Sequence, residues 1–331
     1  MPEVTVAFID VGQGDSTAII LPDKMSTIVI DCPSNAATSE YFDKNNISGI
    51  DFAFLTHSDL DHIGGISDLL TNFAHHNTKL AYNHDSFKTL YSDNQEKKRR
   101  LILRQLSKLV DLHGITTLSP RTGDSWKIQD LLIETLHPDD RDIKQLALSD
   151  DKNNASIVLR LTFAGKKVLL TGDIEGQGWK WIIDRSPDLQ SDVLKFPHHG
   201  AWYNPKGDQP LLNDILRQIS PDFTIISVGT KNQYGHPTME TFDQLRKLSY
   251  RCRLVCTQAT EKCDSKIKNQ NSPHAVPCAG TIEVVINNKG QIEVNPEIKK
   301  HQKVIKDFDN PQCKIPKHEQ QPNRIIRFKK L

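Results

Sequence analysis

Two histidines and two aspartates stand within six residues of one another, at His57, Asp59, Asp61 and His62. An apolar stretch that predicts a β-strand precedes them, and a pair of glycines follows. Burying four such groups face to face would cost several kcal/mol unless a partner paired them, and a divalent cation provides that pairing. The motif therefore predicts a metal-binding site.

Three later segments also place ionisable side chains directly after predicted strands. Asp173 ends an apolar strand in a Thr-Gly-Asp sequence, His198 and His199 follow another strand, and His236 stands in a Tyr-Gly-His-Pro turn. Loops that follow strand ends on one edge of a sheet are where αβ proteins build their sites. We therefore expect these segments to converge on the motif at residues 57–62.

Apolar runs separated by turn residues predict the elements that would hold these side chains. Predicted strands cover residues 4–9, 17–21, 27–30, 51–56, 131–136, 156–163, 167–170, 192–196, 223–228 and 253–256. Predicted helices cover residues 63–73, 85–112, 210–219 and 238–248, and one more begins near Gly176. Strands in both halves of the chain with helices between them predict two sheets covered by helices.

These motifs together resemble the metallo-β-lactamase superfamily, and within it the hydrolase domain of ComEC-type DNA-uptake proteins and their free-standing relatives. The resemblance spans about residues 4–290. The segments that carry it are residues 8–16, 30–31, 56–65, 169–173, 195–200 and 234–237. It implies an α/β fold, a four-layer αββα sandwich, with a dinuclear metal site in a groove at one edge of the two sheets.

The resemblance also implies roles for individual residues. His57 and Asp59 would hold one metal ion, and Asp173 would bridge it to a second ion. That second ion would be held by Asp61, His62 and His198. Either member of the His198–His199 pair can be the ligand; we prefer His198 and expect His199 to lie beside the ligands or to face the substrate.

Two departures from the superfamily pattern bear on the metal. Asp59 stands where most members have a second histidine, and residues 153–156 stand where they have a third. Oxygen-rich sites favour Mn²⁺ or Mg²⁺, and Zn²⁺ stays open. Two divalent ions about 4 Å apart lower the pKa of a bridging water, so the resemblance implies attack by a metal-bridged hydroxide, with Asp61 among the catalytic residues.

Several further residues are candidates for supporting or substrate-contacting roles. His236 can donate to a phosphate oxygen or protonate the leaving group, or it can simply stand at a helix start. Asp15 follows a Gly-x-Gly turn, a loop that the resemblance places beside the site, so the resemblance implies that Asp15 can orient a ligand histidine. Asp31, Asn153 and Ser156 belong to segments that the resemblance places beside the site.

The six cysteines are too few for a disulfide scaffold, and we expect reduced thiols or metal ligands. Their spacing resembles a zinc site only loosely, because it lacks paired Cys-x-x-Cys sequences. The set consists of Cys252, Cys256, Cys263 and Cys278, with His274 nearby. Alternatively, Cys256 and Cys278 are small buried residues in neighbouring strands that flank an inserted loop at about 257–279.

Composition limits the class of protein. The 37% hydrophobic and 25% charged residues of this 331-residue chain exclude collagen-like, coiled-coil and mostly disordered proteins. Lys and Arg number 42 against 41 Asp and Glu, so attraction to nucleic acid or membrane must be local. Without an export signal or an apolar run of about 20 residues, we expect a cytoplasmic protein with no membrane contact.

Two segments are locally basic. The run at residues 97–100 is either the solvated face of an amphipathic helix or a nucleic-acid contact. Residues 297–331 contain ten Lys or Arg against four Asp or Glu. Such a tail is a poorly ordered extension or a docking arm for an anionic partner. We expect a hydrolase domain at residues 1–296 and a basic C-terminal extension at 297–331.

Three functions follow from these features. The first is a metal-dependent phosphodiesterase, specifically a nuclease acting on nucleic acid. The second is a hydrolase of a small nucleotide, cyclic nucleotide or ester. The third is a partner-regulated component of a larger assembly, such as an operon-encoded defence system, with a protein partner. The oligomeric state is not predicted.

Overall fold

The chain folds into two β-sheets that lie face to face. The computed structural model describes residues 2–23, 25–84, 87, 95–146, 152–185, 188–248, 252–267 and 274–314. The strands are β1 Glu3–Phe8, β2 Thr17–Ile20, β3 Thr27–Ile30, β4 Ile50–Leu55, β5 Ala74–Tyr82, β6 Thr116–Leu118, β7 Ser125–Ile128, β8 Leu131–His137, β9 Val158–Phe163, β10 Lys166–Leu170, β11 Val193–Lys195, β12 Phe223–Ile226, β13 Arg253–Cys256, β14 Ile282–Asn287 and β15 Ile292–Asn295.

Each sheet contains a run of parallel strands. The first sheet has the order β15-β14-β1-β2-β3-β4-β5-β6, and the second has the order β13-β12-β11-β10-β9-β8-β7. Strands β3 to β6 are parallel, and so are β10 to β13. Within each run the carboxyl ends lie at one edge of the sheet, which is where the predicted site residues follow the strands.

Helices cover the outer face of each sheet. They are α1 Asn35–Lys44, α2 Leu60–Ile63, α3 Ile66–Phe73, α4 Glu96–His113, α5 Asp140–Leu146, α6 Gly176–Arg185, α7 Leu212–Ile219, α8 Met239–Leu248 and α9 Ile298–Val304. Across the described ranges, no helix is long and apolar enough to span a bilayer.

Three apolar layers hold this arrangement together. Side chains such as Phe54 and Leu161 fill the space between the sheets. Phe42 of α1 and Leu106 of α4 pack on the first sheet, and Trp179 of α6 packs on the second. Each fully buried side chain of this size contributes about 1.5–3 kcal/mol. The predicted four-layer αββα architecture is confirmed.

The helix predicted at residues 63–73 is divided in two. Helix α2 ends at Ile63 and α3 begins at Ile66, with Gly64 and Gly65 between them. A Cβ atom at Gly65 would lie 2.3 Å from the backbone nitrogen of Asn35. Glycine is therefore needed at this position, where the turn after the motif at residues 57–62 crosses the start of α1.

The basic run at residues 97–100 lies in α4, but it is not uniformly solvated. Lys97, Lys98 and Arg100 are exposed, whereas the side chain of Arg99 is fully buried. Neither prediction for this run included a buried arginine.

The first part of the predicted C-terminal extension packs against the second sheet. Residues 298–304 form α9, and Ile305 and Cys313 join the apolar cluster that contains Trp179. The remainder of the extension, residues 315–331, lies outside the described residues, as does the middle of the predicted inserted loop, residues 268–273.

Candidate metal centre

The predicted site residues meet at the carboxyl ends of the parallel strands. Asp31 follows β3, His57 follows β4 and Asp173 follows β10, while His198 and His199 follow β11. The motif at residues 57–62 continues from His57 into α2, so all its ionisable side chains stay at this edge. The structure therefore brings these segments together at one edge, as expected from the sequence.

The carboxylate of Asp173 lies at the middle of the group. Its oxygen atoms are 3.2 Å from Nε2 of His62, 3.6 Å from Nε2 of His199, 3.8 Å from Nε2 of His57 and 3.9 Å from Nε2 of His198. Asp173 is 2% exposed. Four imidazoles therefore aim the same nitrogen at one buried carboxylate.

Two further carboxylates lie beside different histidines of this centre. Asp59 Oδ2 is 3.7 Å from His57 Nε2, and Asp61 Oδ2 is 3.5 Å from His199 Nε2. The donors thus form two groups, one of His57 and Asp59 and the other of Asp61 and His199; the ring of His62 is 4.1 Å from that of His57 and 5.4 Å from that of His199. Asp173 lies between the groups.

Hydrogen bonds at Nδ1 fix the orientation of the histidines. His62 Nδ1 is 2.7 Å from Asp31 Oδ2, and His199 Nδ1 is 3.0 Å from the carbonyl oxygen of Ser227. Because both partners are acceptors, Nδ1 carries the proton of the neutral ring and Nε2 keeps a lone pair. This is the arrangement that metal-ligating histidines adopt.

The other two imidazoles are held in a similar way. His57 Nδ1 is 3.1 Å from Thr56 Oγ1 and 3.4 Å from Ser156 Oγ. His198 Nδ1 is 2.8 Å from a carboxylate oxygen of Glu175. Ser156 also accepts the backbone N–H of Asp173, so this serine contacts both sides of the centre.

The donor atoms fit a divalent metal. Among the described residues, the buried Nε2 atoms of His57, His62 and His199 and Oδ1 of Asp173 have no hydrogen-bond partner. Ligand atoms of Asp15, His62, Asp173 and His199 lie within 4.8 Å of one another. Buried polar atoms without partners are costly, and a cation would satisfy all of them at once.

The charges of the group are strongly coupled. Burial alone would raise the pKa of Asp173, but the imidazoles of His62, His199 and His198 hold it well below its ordinary value. Burial alone would lower the pKa of His62, but the carboxylates of Asp173 and Asp31 raise it well above its ordinary value. The pKa values of His198 and His199 are also raised, by the carboxylates of Asp173 and its neighbours, so protons on His62, His198 and His199 balance the buried carboxylates in the metal-free protein, and metal binding would release them.

The His198–His199 pair reaches the site through an unusual backbone. His198, His199 and Gly200 all have positive φ values, of 50°, 52° and 88°. This left-handed turn directs both rings towards Asp173, with ring planes at 70° to each other. His199 is buried, whereas the His198 side chain is 25% exposed. His199, rather than His198, therefore lies beside Asp61 and His62.

A cationic pair borders Asp59. Lys152 Nζ is 2.6 Å from Asp59 Oδ1, and Arg99 Nη1 is 4.0 Å from the same oxygen. Burial alone would raise the pKa of Asp59, but His57 and Lys152 lower it well below its ordinary value. The buried member of the basic run thus belongs to the surroundings of the metal centre.

Asp15 lies behind His199. Its Oδ1 is 3.9 Å from His199 Nδ1, and Lys195 Nζ donates to its Oδ2. The backbone N–H of Asp15 donates to the carbonyl oxygen of Asp61. Asp15 therefore connects the Gly-x-Gly turn to both the 57–62 motif and the histidine pair.

His236 lies at the edge of the centre. Its ring is 5.3 Å from that of His198 and stacks on Tyr234 at 5.9 Å. Burial, together with the charges of His198 and His199, lowers the pKa of His236 to about 4. The ring is therefore neutral at pH 7, with one N–H to donate.

The Asn153–Asn154 pair supports a loop on the other side. Asn153 Nδ2 donates to Glu175 Oε1, and Asn154 Oδ1 accepts the backbone N–H groups of Glu175 and Gly178. These bonds position Glu175, which in turn holds His198.

A cavity of about 920 Å³ opens over the centre. Its walls include Asp61, Asp173 and His199 at the base, and Lys231 and Tyr234 at the rim. Tyr234 is 57% exposed. A ligand in this cavity would contact the metal donors, a cation and an aromatic face together.

Sequence reasoning missed several members of the site. They are Arg99, Lys152, Glu175 and Lys195, and the carbonyl oxygen of Ser227. Glu175 offered a signal, because it lies two residues after Asp173. A backbone carbonyl offers none.

Asp31 provides a test of the orienting bonds. We expect Asp31→Asn to lower metal affinity about 10–100-fold, because it removes the negative partner of His62 Nδ1. Metal titration of the purified variant measures this. Asp184→Asn, at an exposed aspartate on α6, is the control. Unchanged metal affinity in Asp31→Asn, with the same thermal stability as the control, would contradict an orienting role.

Comparison with known proteins agrees with this geometry. The model of the metallo-beta-lactamase superfamily matches residues 9–208. ComE operon protein 3 of Bacillus subtilis (strain 168) is 29% identical over an alignment of 268 residues that covers 75% of this chain and 31% of that protein. Competence protein ComA of Neisseria gonorrhoeae is 30% identical over 122 residues, which are 37% of this chain and 16% of that protein. The chain thus spans a third or less of these curated relatives, and the resemblance predicted from the motifs is confirmed.

Two solved structures align with this chain at low identity. The metallo-beta-lactamase fold protein YhfI from Bacillus subtilis aligns with a TM-score of 0.46 and 12% identity, over 77% of this chain and 97% of that one. A diphosphatase from the PhnP family aligns with a TM-score of 0.44 and 14% identity, over 77% and 95%.

Proposed function

The chain belongs to the metallo-β-lactamase superfamily of metal-dependent hydrolases, and from this premise we propose that it is a phosphodiesterase that cleaves nucleic acid. The observation that carries the proposal is the open cavity of about 920 Å³, which joins the histidine–aspartate centre to Lys231 and Tyr234. In this cavity Lys231 would face a phosphate, Tyr234 would face a base, and the histidine–aspartate centre would face the scissile bond of a nucleic acid.

We assign two divalent ions, Mn²⁺, Zn²⁺ or Mg²⁺, to the two groups of donors. One group is His57 and Asp59, and the other is Asp61, His62 and His199, with Asp173 shared between them. The orphaned Nε2 and carboxylate atoms support this assignment. Two divalent ions lower the pKa of a water molecule and neutralise charge on a phosphoryl oxygen when bound.

The chain's own residues would do the rest. Asp61 and Asp173 would provide carboxylate oxygens to the groups of donors. Asp31 and Ser227 hold His62 and His199 in the ligating tautomer. Neutral His236 donates a hydrogen bond to a phosphoryl oxygen at the edge of the centre, because a neutral imidazole is a poor acid for the leaving group.

The cavity rim would select the substrate. Exposed Tyr234 offers a ring on which a base stacks, and Lys231 offers a cation to the backbone. Stacking of one base contributes about 1–3 kcal/mol without requiring a sequence. The resemblance to DNA-uptake proteins also favours nucleic acid.

The experiment combines metal and substrate screens. The full-length protein, loaded with Mn²⁺, Mg²⁺ or Zn²⁺, is given single- and double-stranded DNA, RNA and a phosphodiester that lacks a nucleobase. We expect hydrolysis of nucleic acid, and a rise in KM of about tenfold in Tyr234→Ala for nucleic acid only. Absence of hydrolysis of every phosphodiester by the metal-loaded protein would refute the proposal.

The size of the cavity also supports a small-molecule substrate as the second candidate. A volume of about 920 Å³ lies within the range of roughly 300–1,000 Å³ that small-ligand pockets occupy. Salt separates the two, because binding of a nucleic-acid backbone weakens steeply as salt rises. A KM that does not change with salt would favour a nucleotide, cyclic nucleotide or ester. A protein partner, a role in defence and a cytoplasmic location stay predictions.

A further inference from the structure

A group of cysteine and histidine side chains lies on the helix-covered side of the second sheet. Cys256 ends β13, Cys278 precedes β14, His301 is in α9 and Cys313 follows that helix. All of them are 5% exposed or less. The metal centre described above contains no thiol among its described donors, so this group is chemically distinct from it.

The sulfur and nitrogen atoms of the group face one another. Cys313 Sγ is 3.6 Å from Cys256 Sγ and 3.9 Å from Cys278 Sγ, and Cys278 Sγ is 3.2 Å from His301 Nε2. A disulfide would require about 2.05 Å between sulfur atoms. Two thiolates on a tetrahedral zinc ion, each about 2.3 Å from the metal, are about 3.8 Å apart. The observed spacing matches the second case.

We propose that Cys256, Cys278, His301 and Cys313 bind a structural zinc ion. Three cysteines and one histidine form a closed tetrahedral set of the kind found in structural zinc sites. Ligand atoms of Cys278, His301 and Cys313 lie within 4.8 Å of one another. Cys256 Sγ is outside that set but contacts Cys313 Sγ at 3.6 Å, so Cys256 would complete the coordination by moving towards the other ligands when zinc binds.

This set differs from the one that the sequence indicated. Cys256 and Cys278 are common to both, but Cys252 contacts Thr224 Oγ1 at 3.2 Å instead, and His274 is exposed. Cys263 is buried, and its carbonyl oxygen accepts the backbone N–H of Asn310. The other two ligands, His301 and Cys313, come from the C-terminal segment, which was expected to be a poorly ordered extension or a docking arm.

Hydrogen bonds around the group hold that segment in place. Gln302 Nε2 donates to the carbonyl oxygen of Cys313, and Gln312 Nε2 donates to that of Lys262. Together with the burial of Ile305 and Cys313, these contacts dock the C-terminal segment, and a metal ion would add a direct connection between it and the strand ends at Cys256 and Cys278.

The same strand ends support the cavity wall. After Cys256, the side chain of Gln258 accepts the backbone N–H of Thr230, and the Thr230 hydroxyl donates to the carbonyl oxygen of Ala259. The segment that begins at Thr230 carries Lys231 to the cavity rim. A zinc ion would therefore stabilise the base of that segment without taking part in hydrolysis.

Cobalt substitution tests the proposal directly. Full-length protein is prepared with Co²⁺ in place of the native metals, and its near-ultraviolet absorption is recorded. We expect a thiolate-to-cobalt charge-transfer band, which a centre of imidazoles and carboxylates cannot produce. The band should be lost in Cys278→Ser and Cys313→Ser and kept in Cys252→Ser, the control at a thiol outside the group.

A measurement on the unaltered protein covers the case in which the serine variants do not fold. We expect a mercurial reagent to release one zinc ion per chain as it titrates the thiols, and loss of that zinc to lower Tm by about 5 °C or more. Six freely titrating thiols with no zinc released would overturn the proposal. So would four thiols in the unreduced, denatured chain, because that count means a disulfide.

Discussion

Replacing Asp173 with asparagine is expected to reduce hydrolysis about 1,000-fold or more, equivalent to about 4 kcal/mol of transition-state stabilisation. The carboxylate lies within 3.9 Å of all four imidazole Nε2 atoms. Asparagine keeps the shape but removes the charge that both groups of donors share. The measurement is kcat together with the metal content of the purified variant, and both should fall.

A second buried aspartate offers a matched control. Asp142 is as buried as Asp173 and pairs with His137 at 3.1 Å and with Arg185, away from the cavity. Asp142→Asn breaks a buried ion pair, so it should lower the free energy of unfolding while leaving kcat and metal content near their original values. If Asp173→Asn kept kcat within tenfold of the unaltered protein, the central role of this carboxylate would be wrong.

The sequence predicted the parts of the site that depend on short-range spacing. The 57–62 motif is readable because its side chains are neighbours along the chain, and the Asp173 and His198–His199 segments because each follows an apolar strand. Because parallel strands have their carboxyl ends at the same edge of a sheet, these segments then lie close together. The two-sheet architecture was predictable for the same reason.

Groups that reach the site from elsewhere in the fold were not predictable. Arg99 stands in a run of four basic residues, and helical periodicity alone does not show that one of them turns inward to Asp59. Lys195 lies in a strand between apolar neighbours, and only the packing of the Gly-x-Gly turn brings it to Asp15. Such partners compensate buried charges, so their positions depend on tertiary contacts.

The C-terminal segment illustrates a different limit. Its charge predicted solvent exposure, yet Ile305 and Cys313 are buried in the core that covers the second sheet. A few buried apolar side chains are enough to dock this short segment, because each contributes favourable burial free energy. The lysines between them keep their charged groups in water and so add no desolvation cost.

The two adjacent histidines are expected to differ sharply. His199→Ala should lower kcat about 1,000-fold and remove metal from the group with Asp61 and His62, because its buried Nε2 lies 3.5 Å from Asp61 and 3.6 Å from Asp173. His198→Ala should cost only about 10–100-fold, because its ring is partly exposed and tied to Glu175. Parallel measurements of kcat and metal stoichiometry separate the two.

Glu175→Gln tests the reason for the difference. If His198 acts mainly through its orientation, weakening its bond to Glu175 should reproduce a large part of the His198→Ala loss, with metal content unchanged in the group with Asp61. The reverse ranking, with His198→Ala losing metal and His199→Ala retaining it, would instead make His198 the ligand beside Asp61 and His62. In that case the left-handed turn at residues 198–200 would have to rearrange when metal binds, because in its present form it directs His199 to that position.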